Sequence, residues 1–267
     1  MNRQIAVLLP HYNNQVGLQL TLNSLLSESE EFTVFVFDDG SDEVDKTDEI
    51  IKNFRDQLDI RFIKNAENIG IAKTLNKGLK FIIELNQYEF IARIDAGDVN
   101  LNDRFKHQKQ AFLNDNDLGL VASWVRFVDM ERKKLFEFKP PSSHNDLKEV
   151  IHLYNPFVHP SVMYRCELVS KLGYYPENYP ALEDHAFFFK IKKTYTTKVL
   201  ENILLEYEVN PESISTKNRH KQTKSRIKLF LNEYKFGFYT TLGLFRAILT
   251  HILPQKLLIL MKRFLYK

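Results

Sequence analysis

The stretch Phe90–Phe105, FIARIDAGDVNLNDRF, begins as an apolar run and stops at two acids, Asp95 and Asp98. A short apolar run of this kind is typical of a strand that is buried on both faces of a sheet. Two carboxylates in a tight turn suit a hard cation, because Mg²⁺ or Mn²⁺ is often held by one or two carboxylates together with substrate phosphates. Asp98 could instead cap the helix that follows, as could Asn100 or Asn102.

The sequence before this stretch repeats the alternation of strand and helix. Three more apolar runs predict strands, and helical spacing of Leu, Ile and Phe between them predicts helices. Strands that are apolar throughout and joined by helices form a parallel sheet covered on both faces. We therefore predict an α/β fold with a Rossmann-like, mostly parallel sheet. The three runs are QIAVLLP (4–10), FTVFVFDDGS (32–41) and DIRFIKN (59–65).

Polar residues follow each predicted strand, at the edge where parallel sheets bind their ligands. Asp39 could accept hydrogen bonds from a nucleotide base or ribose, although acids in such turns are also common caps. Asn68 and Lys73 lie where the third helix begins, and a helix N-terminus favours anions. Asn68 could equally be the cap of that helix.

The second half of the chain has a looser pattern. It predicts a helix at 146–153, a strand at 157–165, a helix at 182–193 and one or two strands at 198–209. Glu183 and Asp184 open the helix at 182–193, either as acids that suit its dipole or as a general base. His159 is a single histidine near a strand end, and it could be structural, contact a substrate or complete a cation shell.

The C-terminus has a different composition from the rest. Residues 218–267 carry eleven Lys and Arg residues against one acid, although the net charge of the whole chain is only +3. We predict a helical, basic, amphipathic extension from 216 to 267 after a catalytic domain at 1–215. Its expected partner is an anionic membrane surface rather than nucleic acid, with a helix packed on the domain as the alternative. Five residues are expected on one helical face: Ile227, Phe230, Leu231, Tyr234 and Phe238.

Other features bear on the compartment. Cys166 is the only cysteine, so neither an intramolecular disulfide nor a cysteine-based zinc site can form. The apolar run at the N-terminus is too short for a signal peptide, and no uncharged apolar window of 18 residues predicts a membrane span. We expect a cytoplasmic protein, peripheral on the inner face of the plasma membrane.

Six segments, in order from residue 4 to about 195, resemble inverting nucleotide-sugar glycosyltransferases of family 2 with the GT-A fold, of the bacterial surface-polysaccharide type. The resemblance implies transfer of one sugar from a nucleotide sugar, UDP-linked by preference, to a hydroxyl of a lipid-linked or saccharide acceptor. It also implies Mn²⁺ or Mg²⁺ as cofactor. The segments are VLLPHYN, VFDDGSDE, NIGIAKTLNKGL, IARIDAGDVNLNDRFKHQ, HPSVMYR and LEDHAFFFKI.

The resemblance also implies roles for single residues. Asp184 would be the catalytic base, with Glu183 and His159 on the acceptor side. Asp98 would bind the metal directly. Asp95 would lie against the ribose and bind the metal through water. Arg104 and Gln108 match a family segment without an assigned role. The residues implied in donor binding are Pro10, Tyr12, Asp39, Asn68, Lys73 and Asp95.

Two alternatives remain open. A sugar-phosphate nucleotidyltransferase has a related sheet, but the loop after the first strand lacks the expected Gly-rich, basic pattern. A non-catalytic module that binds membrane surfaces would need only the basic extension.

Overall fold

The protein is described by a computed structural model that covers residues 4–210 and 218–253. Four neighbouring strands form the predicted parallel part of the sheet, in the order β3-β2-β1-β4. In register, His11 lies beside Asp38 and Asp38 beside Lys64, so the strands end at a common edge. These strands are β1 (Ile5–His11), β2 (Phe32–Asp38), β3 (Ile60–Lys64) and β4 (Phe90–Arg93).

Helices cover both faces of this sheet, which explains why its central strands are apolar on both sides. Leu18 and Leu22 pack with Val7 on one face, whereas Leu75 packs with Leu8 on the other. Alternate residues of one strand therefore enter two separate cores. The helices that join the parallel strands are α1 (Gln15–Leu25), α2 (Val44–Phe54) and α3 (Ile71–Leu85).

The other half of the sheet is mixed. From β4 the order continues β8-β6-β9-β5, with β7 paired to β6. Strands β6 and β9 run parallel, and the remaining pairs are antiparallel. The strands are β5 (Val99–Asn100), β6 (Leu118–Val128), β7 (Lys134–Phe138), β8 (Met163–Arg165) and β9 (Thr196–Glu208).

Several later elements differ in extent from their predictions. The strand expected at 157–165 is a 3₁₀ turn, His159–Ser161, followed by the short β8, because Pro160 has no N–H to donate to a ladder. The one or two strands expected at 198–209 are the single β9. The helix expected at 146–153 starts two residues earlier, capped by Ser143. The remaining helices before residue 210 are α4 (Arg104–Asn114), α5 (His144–Val150), α6 (Cys166–Leu172) and α7 (Glu183–Thr194).

The C-terminal helices α8 (Arg219–Asn232) and α9 (Phe238–Ile252) pack against the domain. Leu229 and Phe230 of α8 and Ala247 of α9 belong to the same core cluster as β1 and α7. The expectation of one continuous apolar face is wrong: the chain turns between the helices, so that Phe230 is buried while Leu231 and Phe238 are exposed. The predicted boundary at 215 and the end of the extension, 254–267, lie outside the described residues.

Helix α9 lies close to the domain because of a glycine. A Cβ atom on Gly243 would lie 1.8 Å from the carbonyl oxygen of His152, so only glycine fits. The opposite side of α9 presents large apolar residues to solvent. Within the described residues, no helix is both long and apolar enough to cross a membrane.

Candidate active site

The turn from Asp95 to Asp98 follows β4 and is held by side chains from distant elements. The Thr21 hydroxyl donates to the Asp98 carbonyl oxygen (2.7 Å) and accepts from the Gly97 N–H (3.0 Å). Asn14 Nδ2 donates to the Ala96 carbonyl oxygen (2.9 Å). These bonds fix the backbone of the turn before any ligand binds, so the positions of its two carboxylates are preorganised.

Gly97 is required at the centre of this turn. Its φ of 111° lies in the region that side chains rarely adopt, and a Cβ atom there would lie 3.3 Å from Oε1 of Glu208. Arg132, from the turn between β6 and β7, donates to the Gly97 carbonyl oxygen (2.9 Å) and pairs with Glu206 (3.0 Å). The C-terminal end of β9 therefore closes over the turn.

Asp98 is buried, and only one of its carboxylate oxygens has a partner. Its Oδ1 accepts a hydrogen bond from the Glu208 backbone N–H (2.9 Å), whereas Oδ2 has none. Burial raises the pKa of Asp98 well above its usual range, and the neighbouring carboxylates of Asp95 and Glu208 raise it further. A buried carboxylate with an unpaired oxygen among other acids is an unfavourable arrangement that a cation would relieve. Asp98 does not cap α4; instead, the Glu28 carboxylate accepts from the N–H of Phe105 (2.9 Å).

Asp95 is partly exposed, and its carboxylate is bound by an arginine. Its Oδ1 accepts from the fully buried guanidinium of Arg93 (2.6 Å). Arg93 Nε also donates to Nε2 of His159 (3.4 Å), which lies 2.8 Å from the Tyr175 hydroxyl. Burial lowers the pKa of His159 well below its usual range, and Arg93 lowers it further, so the ring is neutral. Since Arg93 and Tyr175 share this ring nitrogen, His159 belongs to a polar chain that runs from Asp95 to Tyr175.

The two acids after β2 have different partners. Asp38 accepts from Ser41 and lies 2.7 Å from Nδ1 of His11. Asp39 accepts from the backbone N–H groups of Ile69 and Gly70 (both 3.0 Å). Asp39 also accepts from the side chains of Asn65 (3.0 Å) and Thr74 (2.7 Å), so it fixes the loop that leads into α3.

The other predicted donor residues surround this loop. Asn68 is not the helix cap, because the N-cap of α3 is Gly70 and no side chain caps the helix. Asp39 instead binds the two N–H groups just before the helix. Asn68 and Lys73 are both exposed, as is Tyr12, whereas Pro10 is buried at the end of β1. Their exposed side chains therefore line the carboxyl edge of the parallel strands.

Asp184 lies at the start of α7 and is the acid best suited to accept a proton. Burial raises its pKa to about 7, with a further contribution from the Glu183 carboxylate. Asn155 Nδ2 donates to its Oδ2 (2.9 Å), which orients the group. Arg226 of α8 is close enough to lower this pKa in part. A carboxylate with a pKa near neutrality is both available and basic at physiological pH.

Tyr207 shows that these acids belong to one site. Burial raises the pKa of its hydroxyl, and the carboxylates of Asp98, Asp95 and Asp184 all raise it further. Glu183 is similarly influenced by Asp95, so α7 and the end of β4 face each other. Residues separated by about ninety positions in the sequence therefore meet around one tyrosine.

The donor set fits a cation that also binds a substrate. Within residues 4–210 and 218–253, no group of three or more His, Cys, Asp or Glu side chains is placed to hold a metal ion. Asp98 offers one free buried oxygen and Asp95 lies beside it. Mg²⁺ and Mn²⁺ commonly take few protein ligands and complete their shell with water and phosphate. The residues present therefore fit such an ion, provided that a phosphorylated ligand shares it.

Comparison with known protein families identifies the family to which this chain belongs. The sequence model described as Glycosyl transferase family 2 matches residues 6–173, well over half of the chain. The chain belongs to glycosyltransferase family 2. The matched segment contains both the Asp38–Asp39 and the Asp95–Asp98 turns, whereas Asp184 lies beyond its end.

Related family-2 glycosyltransferases extend over most of the chain. The amylovoran biosynthesis glycosyltransferase AmsE of Erwinia amylovora is 25% identical over 98% of this chain and 97% of its own. An Escherichia coli enzyme named UDP-Gal:alpha-D-GlcNAc-diphosphoundecaprenol beta-1,3-galactosyltransferase is 23% identical over 82% of this chain and 78% of its own.

Solved structures show that this family-2 chain has the GT-A fold. TarS 1–349 of S. aureus in complex with UDP-GlcNAc has a TM-score of 0.67, with 20% identity over 93% of this chain and 72% of that chain. A mannosyltransferase from Pyrobaculum calidifontis in complex with GDP-Man and Mn²⁺ has a TM-score of 0.63, with 14% identity over 91% of this chain and 68% of that one.

Several residues of this family-2 site carried no signal in the sequence. Thr21, Asn14 and Arg132 hold the Asp95–Asp98 turn, yet each is an ordinary polar residue within a helix, its cap or a hairpin. Tyr207 lies in a strand whose alternation indicated only packing. Arg104 and Gln108 are fully buried and donate to backbone carbonyls, which gives them a structural role.

Proposed function

We propose that the protein is a metal-dependent, inverting glycosyltransferase that transfers one sugar from a nucleotide sugar to an acceptor hydroxyl. The observation that carries this proposal is that Asp95, Asp98 and Asp184 all lie near enough to Tyr207 to raise the pKa of its hydroxyl, next to the Glu208 N–H that donates to Asp98 (2.9 Å). One side of the site offers an unpaired buried carboxylate for a cation, and the other offers a carboxylate with a pKa of about 7. This pairing suits the departure of a diphosphate on one side and the deprotonation of a nucleophile on the other.

The reaction is a single displacement. Asp184 accepts the proton of the acceptor hydroxyl as its oxygen forms a bond to the anomeric carbon. The bond from that carbon to the donor's diphosphate oxygen breaks, and the diphosphate keeps the electron pair. Since attack and departure occur on opposite faces, the anomeric configuration inverts. Asn155 holds the base in position, and burial keeps its pKa high enough for proton transfer.

Asp98 and Asp95 are the proposed residues for the cation. When bound, Mn²⁺ or Mg²⁺ would offset the charge that develops on the leaving diphosphate. We assign the nucleobase and the ribose of the donor to one edge of the sheet, which is formed by Pro10, Tyr12, Asp39, Asn68 and Lys73. In this arrangement Asp39 acts mainly by fixing the loop that carries Asn68.

The relatives support a role in building surface polysaccharide. AmsE is named for amylovoran biosynthesis, and the E. coli relative is named for a UDP-sugar donor and an acceptor linked to diphosphoundecaprenol. We therefore propose a UDP-sugar as the donor, and as acceptor a sugar that is either lipid-linked or part of an oligosaccharide.

We place the enzyme on the inner face of the plasma membrane, held by its C-terminal helices. Helix α9 turns Gly243 and Ala247 toward the domain and large apolar residues toward solvent. A helix whose only role is to pack on a domain has its large apolar residues on the buried face instead. Exposed apolar groups of this extent mark interaction surfaces. Basic residues throughout 218–267 add attraction to anionic lipid. The outward stripe comprises Phe238, Phe245, Ile248 and Ile252.

A donor screen with matched variants tests the catalytic proposal. Thermal shift across UDP-, GDP- and other nucleotide sugars, with Mn²⁺ or with chelator, should show metal-dependent binding of one donor. Asp98→Ala should remove that binding, whereas Asp184→Asn should keep it and lose about 10²-fold or more of turnover. Asp56→Asn, an exposed acid far from the site, is the control. Donor binding by Asp98→Ala that equals wild type with and without Mn²⁺ would reject the metal assignment.

Vesicle sedimentation tests the membrane proposal. The triple substitution of Phe238, Phe245 and Ile252 by Gln should release the protein from anionic vesicles, because it removes apolar area without changing charge. Replacement of Val16, Leu113 and Met130, which are exposed elsewhere, by Gln is the matched control. Equal sedimentation of the two triple variants would refute the assignment of this stripe.

A further inference from the structure

Two arginines on the C-terminal helices are not in direct contact with an acid among the described residues. Within the described residues, neither Arg226 of α8 nor Arg246 of α9 forms an ion pair with a carboxylate or a side-chain hydrogen bond. The Nε atom of Arg226 is buried without a partner. A buried guanidinium donor left unpaired is costly, and such groups in native proteins usually have a ligand or a functional reason.

Arg226 lies near the catalytic base, and Arg246 of the neighbouring helix lies near Arg226. Burial lowers the pKa of Arg226, Arg246 lowers it further, and Asp184 opposes both. The position of α8 is well fixed, because Gln222 and Ser225 donate to the backbone carbonyls of Ala181 and Pro180, just before α7. The charge of Arg226 is thus held near the carboxylate that receives the acceptor's proton, with the like charge of Arg246 close behind it.

The proposed position of the donor limits which anion could bind at Arg226. The donor's diphosphate belongs on the Asp95–Asp98 side, so an anion at Arg226 would belong to the acceptor. The same hairpin turns Phe245, the neighbour of Arg246 in sequence, out to solvent together with the rest of the apolar stripe. Helices α8 and α9 therefore lie near both the proposed lipid surface and the catalytic base, Asp184. In a lipid-linked sugar, phosphate is the group that joins the lipid to the sugar.

We propose that Arg226 and Arg246 bind the phosphate of a lipid-linked acceptor and so hold the acceptor hydroxyl against Asp184. This inference rests on the proposed function and narrows its acceptor to a phosphorylated lipid-linked sugar. Guanidinium groups suit this task because their planar donors match phosphate oxygens and remain charged at any physiological pH.

Calorimetric titration with farnesyl diphosphate, a soluble lipid diphosphate, tests the site. The titration is run in chelator, so that a shared cation does not contribute. Arg226→Gln and Arg246→Gln should each weaken binding by about tenfold or more, the range for one charge-assisted hydrogen bond. Arg226→Lys should recover part of the loss. Lys224→Gln removes an equal charge from an exposed position on α8 and should leave affinity unchanged.

Three outcomes would overturn the inference. Arg246 is exposed, so Arg246→Gln is expected to fold, and an affinity equal to that of Lys224→Gln would remove the site. Inorganic pyrophosphate that binds as tightly as farnesyl diphosphate would exclude a lipid-linked ligand. Loss of farnesyl diphosphate binding in Asp98→Asn would place the probe on the donor side. Metal-dependent nucleotide-sugar binding is measured separately, so the proposed function can stand if this inference fails.

Discussion

Sugar transfer should depend on pH through Asp184, with an acidic limb near pH 7. Burial, assisted by the Glu183 carboxylate, raises the pKa of Asp184 from 3.8 to about 7. Only the ionised form accepts a proton, so kcat/KM should fall about tenfold for each pH unit below this value. An aspartate with an ordinary pKa would instead give a flat profile from pH 5 upward.

Glu183→Gln tests the cause of the shift. It removes the neighbouring negative charge and leaves the burial of Asp184 in place, so the limb should move down by about one pH unit. Asp98 also has a raised pKa, from burial and from the carboxylates of Asp95 and Glu208, but Glu183 is not among its causes. A limb that moves in Glu183→Gln is therefore assigned to Asp184 rather than to the cation site.

The assay is nucleotide release measured from pH 5.5 to 8.5 at constant ionic strength and saturating metal. Asp56→Asn should reproduce the wild-type profile, because this acid is exposed and remote. A wild-type profile that stays flat from pH 5.5 to 8.5, or an unchanged limb in Glu183→Gln, would refute the reasoning.

Three further predictions concern stability and the turn. Because the pKa of Asp184 is raised on folding, the folded state keeps a proton between pH 3.8 and about 7 that the unfolded chain has lost, so stability falls as pH rises through this window. Asp184→Asn should thus raise the unfolding free energy in urea at pH 8 by up to about 4 kcal/mol, with little gain at pH 4. Gly243→Ala should destabilise by about 1–3 kcal/mol and expose the α8–α9 hairpin to protease, since its Cβ meets a backbone carbonyl at 1.8 Å. Gly237→Ala, whose nearest contact is 3.5 Å, should be tolerated; equal losses would contradict the packing argument. Thr21→Val should weaken metal-dependent donor binding, because it leaves the Gly97 N–H and the Asp98 carbonyl oxygen without this partner. Thr47 is buried on α2, and Thr47→Val should leave donor binding unchanged. Equal donor affinity in the two variants would argue against preorganisation of the turn.

The parallel half of the sheet could be predicted because its signals are local. Each of the four strands is an apolar run followed by polar residues, and each following helix shows its own periodicity. The second half depends on pairing between distant segments. Pro160 in FVHPSVMYR (157–165) accounts for the short β8, but nothing in this segment indicates that β8 pairs between β4 and β6.

The acids of the site were visible in the sequence, but their environment was not. The turn after β4 suggested a cation from Asp95 and Asp98, yet the unpaired oxygen of Asp98 arises from burial by the end of β9. The pKa of Asp184 likewise depends on packing around α7 that no local pattern encodes. The interpretation of Asn68 as a cap failed because the helix begins later, after Gly70, and Asp39 from the end of another strand fixes the loop between them.

The hydrogen bond from the Glu208 N–H to the Asp98 carboxylate joins residues 110 positions apart, and β9, which carries Glu208, pairs with both β6 and β5. The segment that carries Asp98 and the segment that carries β9 therefore cannot be exchanged independently of each other. A chimera that takes its last third from a relative would replace β9, an interior strand of the sheet, together with the N–H group that binds Asp98. Recombination of acceptor specificity in such an enzyme should succeed only at junctions after residue 208, or with compensating changes around Gly97 and Arg132.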